Sequence, residues 1–398
     1  MKQCVLIKGG DVFLSDKGTF ARGDVLLEEG HIRKIGDSIA KPPDATVIDA
    51  SEKLVTPGLI DFHMHAFRYG HFLSVDADAV AHRSGTTTFV DGGSAGSLHF
   101  MAFREYVIKP ANANILAFLN ISAIGQTTDG VSGLSFHDND NDDLLHLPSA
   151  EEIIEKNRDI VVGVKVRAYT GLKSLLAMSR ARELADRVEL PIMVHLAPAP
   201  PTFQELLPYL KERDIITHPY HGGSTTMLDE NGRVLPEYWE ARERGIEVDL
   251  GLDRFHGDLS IMKAAFDQGF LPDYISTDLA MTNIDSIVFD MPTTISKVVA
   301  CGMDLAEAVA RSTTRTARKL KIDDELGILR EEAVGDVAVF ELQEGDFNFV
   351  DFFGNTVHSN NRLTAVHTFR QGQAMLSPDR ETETLDVLNR ANPWKSYG

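Results

Sequence analysis

Residues 56–65 read TPGLIDFHMH, from Thr56 to His65. Proline and glycine open a short run that is apolar except at Asp61, His63 and His65. Alternate residues of an extended strand share a face, so His63 and His65 project the same way where the run ends, with Asp61 one step behind on that side. Two imidazoles aimed at one point can chelate a metal ion. Taken alone, the pair is also what two hydrogen-bonded histidines closing a strand would look like. Asp61 could be a further ligand or the group that orients a histidine.

Further along the chain, short β-branched runs suited to strands buried on both faces recur at TTTFVDGG (86–93), ILAFLNIS (115–122), IVVGVKVRA (160–168), LPIMVHLA (190–197), DIITHP (214–219), GIEVDLG (245–251) and DYISTD (273–278). With LIDFHMH as the first, they number eight. Amphipathic helix patterns lie between them at 174–189, 201–214 and 259–269. Such alternation predicts a (β/α)₈ TIM-like barrel over residues 56–332. Both chain ends instead carry short, Gly- and Asp-punctuated strand signals, QCVLIKGG to TVIDA at the start and GDVAVFEL with LTAVHTFRQGQAML near the finish. Isolated hairpins are marginal, so the ends are expected to meet in one small composite β-sandwich domain, residues 1–55 with 333–381, followed by a C-terminal extension at 382–398. The stretch HDNDNDDLLH (137–146) reads as an acidic surface loop.

Composition narrows the function classes. A chain of 398 residues with 43% hydrophobic and 25% charged residues is globular and long enough to bury a large core. Lys and Arg total 39 against 59 Asp and Glu, and the net charge of −20 argues against nucleic acid or anionic membrane as a partner. The two cysteines, Cys4 and Cys301, offer no disulfide framework and fit a reducing cytoplasm. The N-terminal residues lack the apolar core of a signal peptide, and no apolar run approaches the about 18 residues of a membrane span. A cytoplasmic protein acting on a small molecule is expected, with homo-oligomerisation left open.

The histidine pair gains weight because its arrangement recurs. His195, His218 and Asp278 each stand where an apolar strand runs out. In a barrel the C-terminal strand ends meet on one rim, where active sites are built. Lys165 is the oddest residue, because it interrupts a very apolar strand where an ammonium is costly. Desolvation lowers a lysine pKa and leaves a neutral amine. Such an amine can take up CO₂ to give a carbamate, an anionic oxygen ligand able to bridge two cations. The plainer alternative is a lysine snorkelling to the rim or pairing with a carboxylate.

On these residues the chain resembles the amidohydrolase superfamily over nearly all of its 398 residues. TPGLIDFHMH is similar to that family's first-strand His-x-His motif, and Lys165, His195, His218 and Asp278 fall in its ligand order. The resemblance implies a hydrolase with two divalent metal ions, zinc first among them. His63, His65 and Asp278 would hold one ion and His195 and His218 the other. A carbamate on Lys165 would bridge them together with a hydroxide that attacks the substrate, Asp278 moving the proton. Ligation by nitrogen and oxygen without thiolate suits Zn²⁺, with Mn²⁺, Co²⁺ or Fe²⁺ fitting as well.

Within the superfamily, TTTFVDGGSAGS, ILAFLNIS, IVVGVKVRA and MVHLAPAP resemble a dihydroorotase-like branch. Dihydroorotases place an arginine two residues after the second histidine; here that position is Phe67, with arginine one later at Arg68. The branch also holds proteins that resemble deacetylases, so the implied reaction is cleavage of an O-acetyl α-hydroxy acid or an N-acyl amino acid. Ring opening of a cyclic amide is the alternative, and a metal-free scaffold working through protein contacts is a third. For substrate contacts, Arg167 and Tyr169 alternate with Lys165 and could face the same rim, Arg167 as a carboxylate fork. Backbone N–H groups of the GGSAGS turn, at Gly93, and the loop residue His221 complete the expected set. Tyr69, His71 and His256 rank below them as loop residues, and His82, His99, His137 and His146 have no supporting context.

Overall fold

The structure, a computed structural model, describes residues 4–128, 138–139, 141–168 and 174–376. Tyr169, His137 and everything after residue 376, the extension at 382–398 included, lie outside them. At the start of the chain stand β1 (Cys4–Leu14), β2 (Thr19–Glu28), β3 (His31–Gly36), β4 (Thr46–Asp49) and β5 (Lys53–Pro57). Seven more strands follow at β6 (Leu59–Met64), β7 (Thr86–Asp91), β8 (Asn114–Asn120), β9 (Val161–Arg167), β10 (Ile192–His195), β11 (Ile215–Thr217) and β12 (Glu247–Asp249). The last three are β13 (Val337–Val350), β14 (Thr356–Arg370) and β15 (Gln373–Ala374).

The two chain ends join in one eight-stranded sheet, ordered β15-β14-β13-β5-β1-β2-β3, with β4 beside β1. The join is β5, which runs parallel to β1 and antiparallel to β13. Its interior is the apolar half of the alternating pattern, Val5, Ile7, Val25, Leu27, Val55, Val337, Val339 and Phe369. One residue after β5 the chain becomes β6, and the Gly58 N–H donates to the Asp336 carbonyl at 2.8 Å. The sheet thus fixes where the first strand of the other layer begins.

That layer is a curled parallel sheet, β12-β11-β10-β9-β8-β7-β6. The run DYISTD, expected as the eighth strand, closes the ring through isolated bridges, Tyr274 to Asp249 and Leu279 to Met64. Between those bridges the Asp278 N–H donates to the His63 carbonyl at 2.7 Å, and Asp61 accepts from the Thr277 N–H at 3.0 Å and hydroxyl at 2.5 Å. Asp278 has φ +49°, a left-handed backbone that an extended ladder does not accommodate. Phe62, Val90, Leu116, Phe118, Met193, Ile215 and Tyr274 form one apolar cluster within the ring, so it is a packed core and not a pore. The helices expected at 174–189 and 259–269 are Ser174–Val188 and Leu259–Asp267. The one expected over 201–214 shrinks to Phe203–Leu206 and a 3₁₀ turn, Leu207–Tyr209. Pro208 sits inside the pattern, lacks an N–H and crowds the preceding turn.

The hairpin β13–β14 extends past its own sheet and lies along the barrel, burying Phe349, Val357 and Leu363 in the main core. Its turn docks at the start of helix Leu259–Asp267, where Asp351 accepts the Leu259 N–H at 2.9 Å and the Asn355 amide donates to Asp258 at 3.1 Å. The buried Lys297 amine donates to the carbonyls of Ile287 at 2.7 Å and Val350 at 2.9 Å. Phe352 in the turn meets Phe255 edge-on at 4.7 Å between ring centres. Cys4 and Cys301 are both buried and free, and no helix among the described residues is long and apolar enough to cross a membrane.

Replacing Lys297 by Met keeps the stem and strands both carbonyls. The expected loss is about 1–3 kcal/mol, read as a lower urea midpoint at unchanged secondary structure. An unchanged midpoint would show that the hairpin docks without this amine.

Candidate metal centre

The C-terminal ends of the barrel strands bring the expected residues to one place. His63 ends the apolar part of β6, with its Nε2 3.0 Å from the Lys165 Nζ and 3.4 Å from Asp278 Oδ1. His65 Nε2 lies 3.2 Å from the same carboxylate oxygen, and His218 Nε2 lies 3.6 Å from Asp278 Oδ2. The rings of His195 and His218 are 4.4 Å apart between centres. His63, His65, Lys165, His195, His218 and Asp278 thus form one cluster, as the run-end pattern implies.

His63, His65 and His218 are each aimed by the nitrogen that faces away. His63 Nδ1 stands 3.2 Å from Asp249 and 3.1 Å from the Thr217 hydroxyl. His65 Nδ1 bonds Ser94 Oγ at 2.7 Å, and His218 Nδ1 donates to the Gly251 carbonyl at 2.7 Å. Outward partners of this kind fix tautomer and ring orientation and leave Nε2 as the inward lone pair. Asp249 ends GIEVDLG in the manner of the other rim residues, so the same rule would have found it. Asp61 is not on the inward face of the site; its carboxylate ties β6 to the Thr277 segment instead.

Burial sets the charges. Lys165 is fully buried, and loss of water with help from the Arg167 charge lowers its pKa to about 8 against the pull of Asp278 and Asp249. Burial and the Lys165 charge depress His63; burial and neighbouring imidazoles hold His195 and His218 well below the ordinary range. Burial alone would push the Asp278 carboxyl up, but His63, His65 and His218 outweigh it and hold it well below the usual range. Burial thus disfavours protonation of His63, His195 and His218, and the neutral imidazole is the form that binds a metal ion.

Two glycines make room for it. A Cβ on Gly92 would lie 2.3 Å from His63 Nε2, and one on Gly93 would lie 2.5 Å from Lys165 Cβ. The Gly93 N–H donates to Asp91 at 3.0 Å and is therefore not turned toward a substrate. Its role is clearance for Lys165. Three non-glycine residues of the centre, His218, Asp253 and Asp278, have φ of +68°, +42° and +49°. Such conformations cost about 1 kcal/mol or more each and persist where the surroundings dictate them.

The other residues of the expected set have the following neighbours. Arg167 is buried, with its guanidinium 3.2 Å from Asp138, so its charge is directed to a protein carboxylate. Asp138 and Asn139 are buried as well, whereas Asn141, Asp142 and Asp143 are exposed, so the described part of the acidic stretch is not all surface. His221 is buried beside the Gly222 carbonyl at 2.7 Å, its pKa lowered to about 4 by desolvation with help from the His256 charge, and it belongs to none of the metal-ligand groups. Tyr169 lies outside the described residues. Arg68 is turned to Asp76 at 2.8 Å and over the ring of Tyr69, and Phe67 packs on Phe103.

Among the described residues, sets of ligand atoms within 4.8 Å of one another are His63, His65 and Asp278; His195, His218 and His256; and Asp253, His256 and Asp278. His218 Nε2 and Asp278 Oδ1 are buried without a hydrogen bond. Buried lone pairs left in this way are costly unless something fills them, and this donor set fits divalent ions. His256 ranks low by sequence because it follows no apolar run.

The sequence pattern of the Amidohydrolase family matches residues 54–375. A protein named deacetylase from Brucella anthropi is 31% identical over 350 residues, covering 85% of this chain and 84% of its own. Another so named, from Agrobacterium fabrum, is 32% identical over 340 residues, covering 83% and 81%. A solved dihydroorotase superposes with a TM-score of 0.83 at 27% identity over 94% of this chain and 98% of its own.

Gly92→Ala is expected to displace His63 and cut the divalent metal retained after desalting by about tenfold in affinity, with circular dichroism unchanged. Full metal content would mean that the end of β7 retreats.

Proposed function

This chain belongs to the amidohydrolase family and is a hydrolase, and we propose that it is a metal-dependent deacetylase of small carboxylate-bearing substrates, an O-acetyl α-hydroxy acid or an N-acyl amino acid. The observation that carries the hydrolytic reading is the buried Lys165 amine against His63, with Asp278 and neutral imidazoles around it. The acetyl preference is supported by relatives named deacetylase that align over more than four-fifths of both chains. The free, buried thiols agree with a cytoplasmic setting.

His63, His65 and Asp278 would hold one ion and His195 and His218 the other, with Lys165 between. When bound, two divalent ions, zinc first among them, supply an activated water near neutral pH and polarise the acyl carbonyl. Lys165 at a pKa of about 8 is roughly one-quarter neutral at pH 7.5, against roughly one part in a thousand for an ordinary lysine. Its neutral amine would add to CO₂ to give the carbamate and one proton, which leaves to solvent, while the His63 Nε2 at 3.0 Å is kept as a metal ligand. Asp278, kept ionised by the histidines, is placed to take the proton of the attacking water and pass it to the leaving alcohol or amine. Arg167, spent on Asp138, acts in this reading on Lys165, its field favouring the neutral amine.

Ring opening of a cyclic amide is the second reading, favoured by the superposition on a dihydroorotase. Against it stands Arg68, engaged by Asp76.

Acetate release across a panel of O-acetyl hydroxy acids and N-acetyl amino acids, with Zn²⁺ and bicarbonate supplied, is expected for one stereochemical series. A metal-loaded chain that releases none but opens a hydantoin or dihydroorotate would move the assignment to the second reading. Lys165→Ala should lose activity and recover part of it with added short carboxylates; an unchanged rate removes the carbamate. Asp278→Asn should lower kcat by about 10²-fold or more while the chain stays folded, and a rate near that of the unaltered chain would assign proton transfer to another group.

A further inference from the structure

We propose that His256 is a direct metal ligand, closing a three-histidine site with His195 and His218 on the open side of the centre. This rests on the metallohydrolase reading for the presence of the ions, and it adds a ligand that the family's order of rim residues does not supply.

The geometry comes from three mutually close rings. His256 lies 4.5 Å from His218 and 4.7 Å from His195 between centres, and His195 and His218 are 4.4 Å apart. One ligand nitrogen of each falls within 4.8 Å of the other two. Zinc–imidazole bonds of about 2.0–2.1 Å in a tetrahedral arrangement place ligand nitrogens about 3.4 Å apart, so small side-chain adjustments close the site. The His218 Nε2 is buried and has no hydrogen bond.

His256 is held as a ligand is held. Its Nδ1 donates to Asp253 Oδ2 at 2.7 Å, which leaves Nε2 as the lone pair. Asp253 is fixed in turn: its other oxygen accepts from the Asn283 amide at 3.0 Å, and its N–H donates to the Thr277 carbonyl at 2.9 Å. The Asn283 amide also reaches the Asp278 carbonyl at 2.9 Å, tying the His256 support to the strand end that carries Asp278. Phe255, next in the chain, is clamped between the Arg254 guanidinium at 4.2 Å from its ring and Phe352 of the hairpin turn. A loop histidine with no metal role has no need of a buried carboxylate, an amide clamp and a hairpin behind it.

Chemically, a third imidazole gives the second ion a ligand set complete without Lys165. The chain would then hold an ion there before any carbamate forms, and CO₂ uptake would follow metal binding. An outer imidazole is also the ligand most easily displaced by a substrate carboxylate entering from the open side.

The test isolates the second site. In full-length His65→Ala, which weakens the first trio, Zn²⁺ affinity is measured by competition with a chromophoric chelator, without bicarbonate. His65→Ala is expected to hold one tight ion, and adding His256→Ala, or His256→Gln if alanine perturbs the fold, should weaken it by about tenfold or more. A folded double variant whose affinity stays within about twofold overturns the proposal. A zinc-loaded crystal structure of the unaltered chain tests it independently: His256 Nε2 within about 2.2 Å of an ion supports it, and a separation beyond about 3 Å overturns it. Failure of the deacetylase assignment would instead appear as absent acetate release from a chain with its metal bound, leaving these affinities unchanged.

Discussion

An amine without water, held 3.0 Å from an imidazole nitrogen at the end of β9, is the constraint around which this molecule is arranged. An isolated ammonium in that position is costly, and burial lowers the Lys165 pKa to about 8. Its neighbours follow from that. Gly93 carries no side chain because Lys165 Cβ occupies the space, and Gly92 carries none because His63 does. Arg167 can remain charged two residues away because Asp138 folds inward to meet it.

The second constraint is closure of the ring. Seven strands pair in parallel ladders, and the eighth run closes by isolated bridges because Asp278 must turn its carboxylate inward with a left-handed backbone. The Asp61 bonds to Thr277 replace the missing ladder. His218, Asp253 and Asp278, all left-handed in backbone, belong to the candidate metal centre.

At His63, His65, His218 and His256 orientation is divided between the two ring nitrogens. Outward nitrogens meet Asp249, Thr217, Ser94, Gly251 and Asp253, and inward nitrogens meet the site. The sheet built from the chain ends takes part as well: its long hairpin leans on the barrel and sets Phe352 against Phe255, beside His256. A change in that remote sheet can therefore reach the mouth of the centre through contiguous packing.

The barrel and most of the site are legible in the order of residues alone. Period-two patterning decides which residues share a face, and a polar residue ending an apolar run marks the rim whatever the loops do. His63, His65, Lys165, His195, His218 and Asp278 can be read for that reason, and Asp249 follows the same rule. The rest emerges only in three dimensions, because loop direction is set by contacts distant in sequence. His256 follows no apolar run and reaches the site only because Asp253, Asn283 and the hairpin turn hold its loop. Arg167 meets Asp138 because part of an acidic stretch is buried, which composition cannot reveal. Gly93 reads as a turn in the sequence and becomes clearance for a lysine once two strands lie side by side.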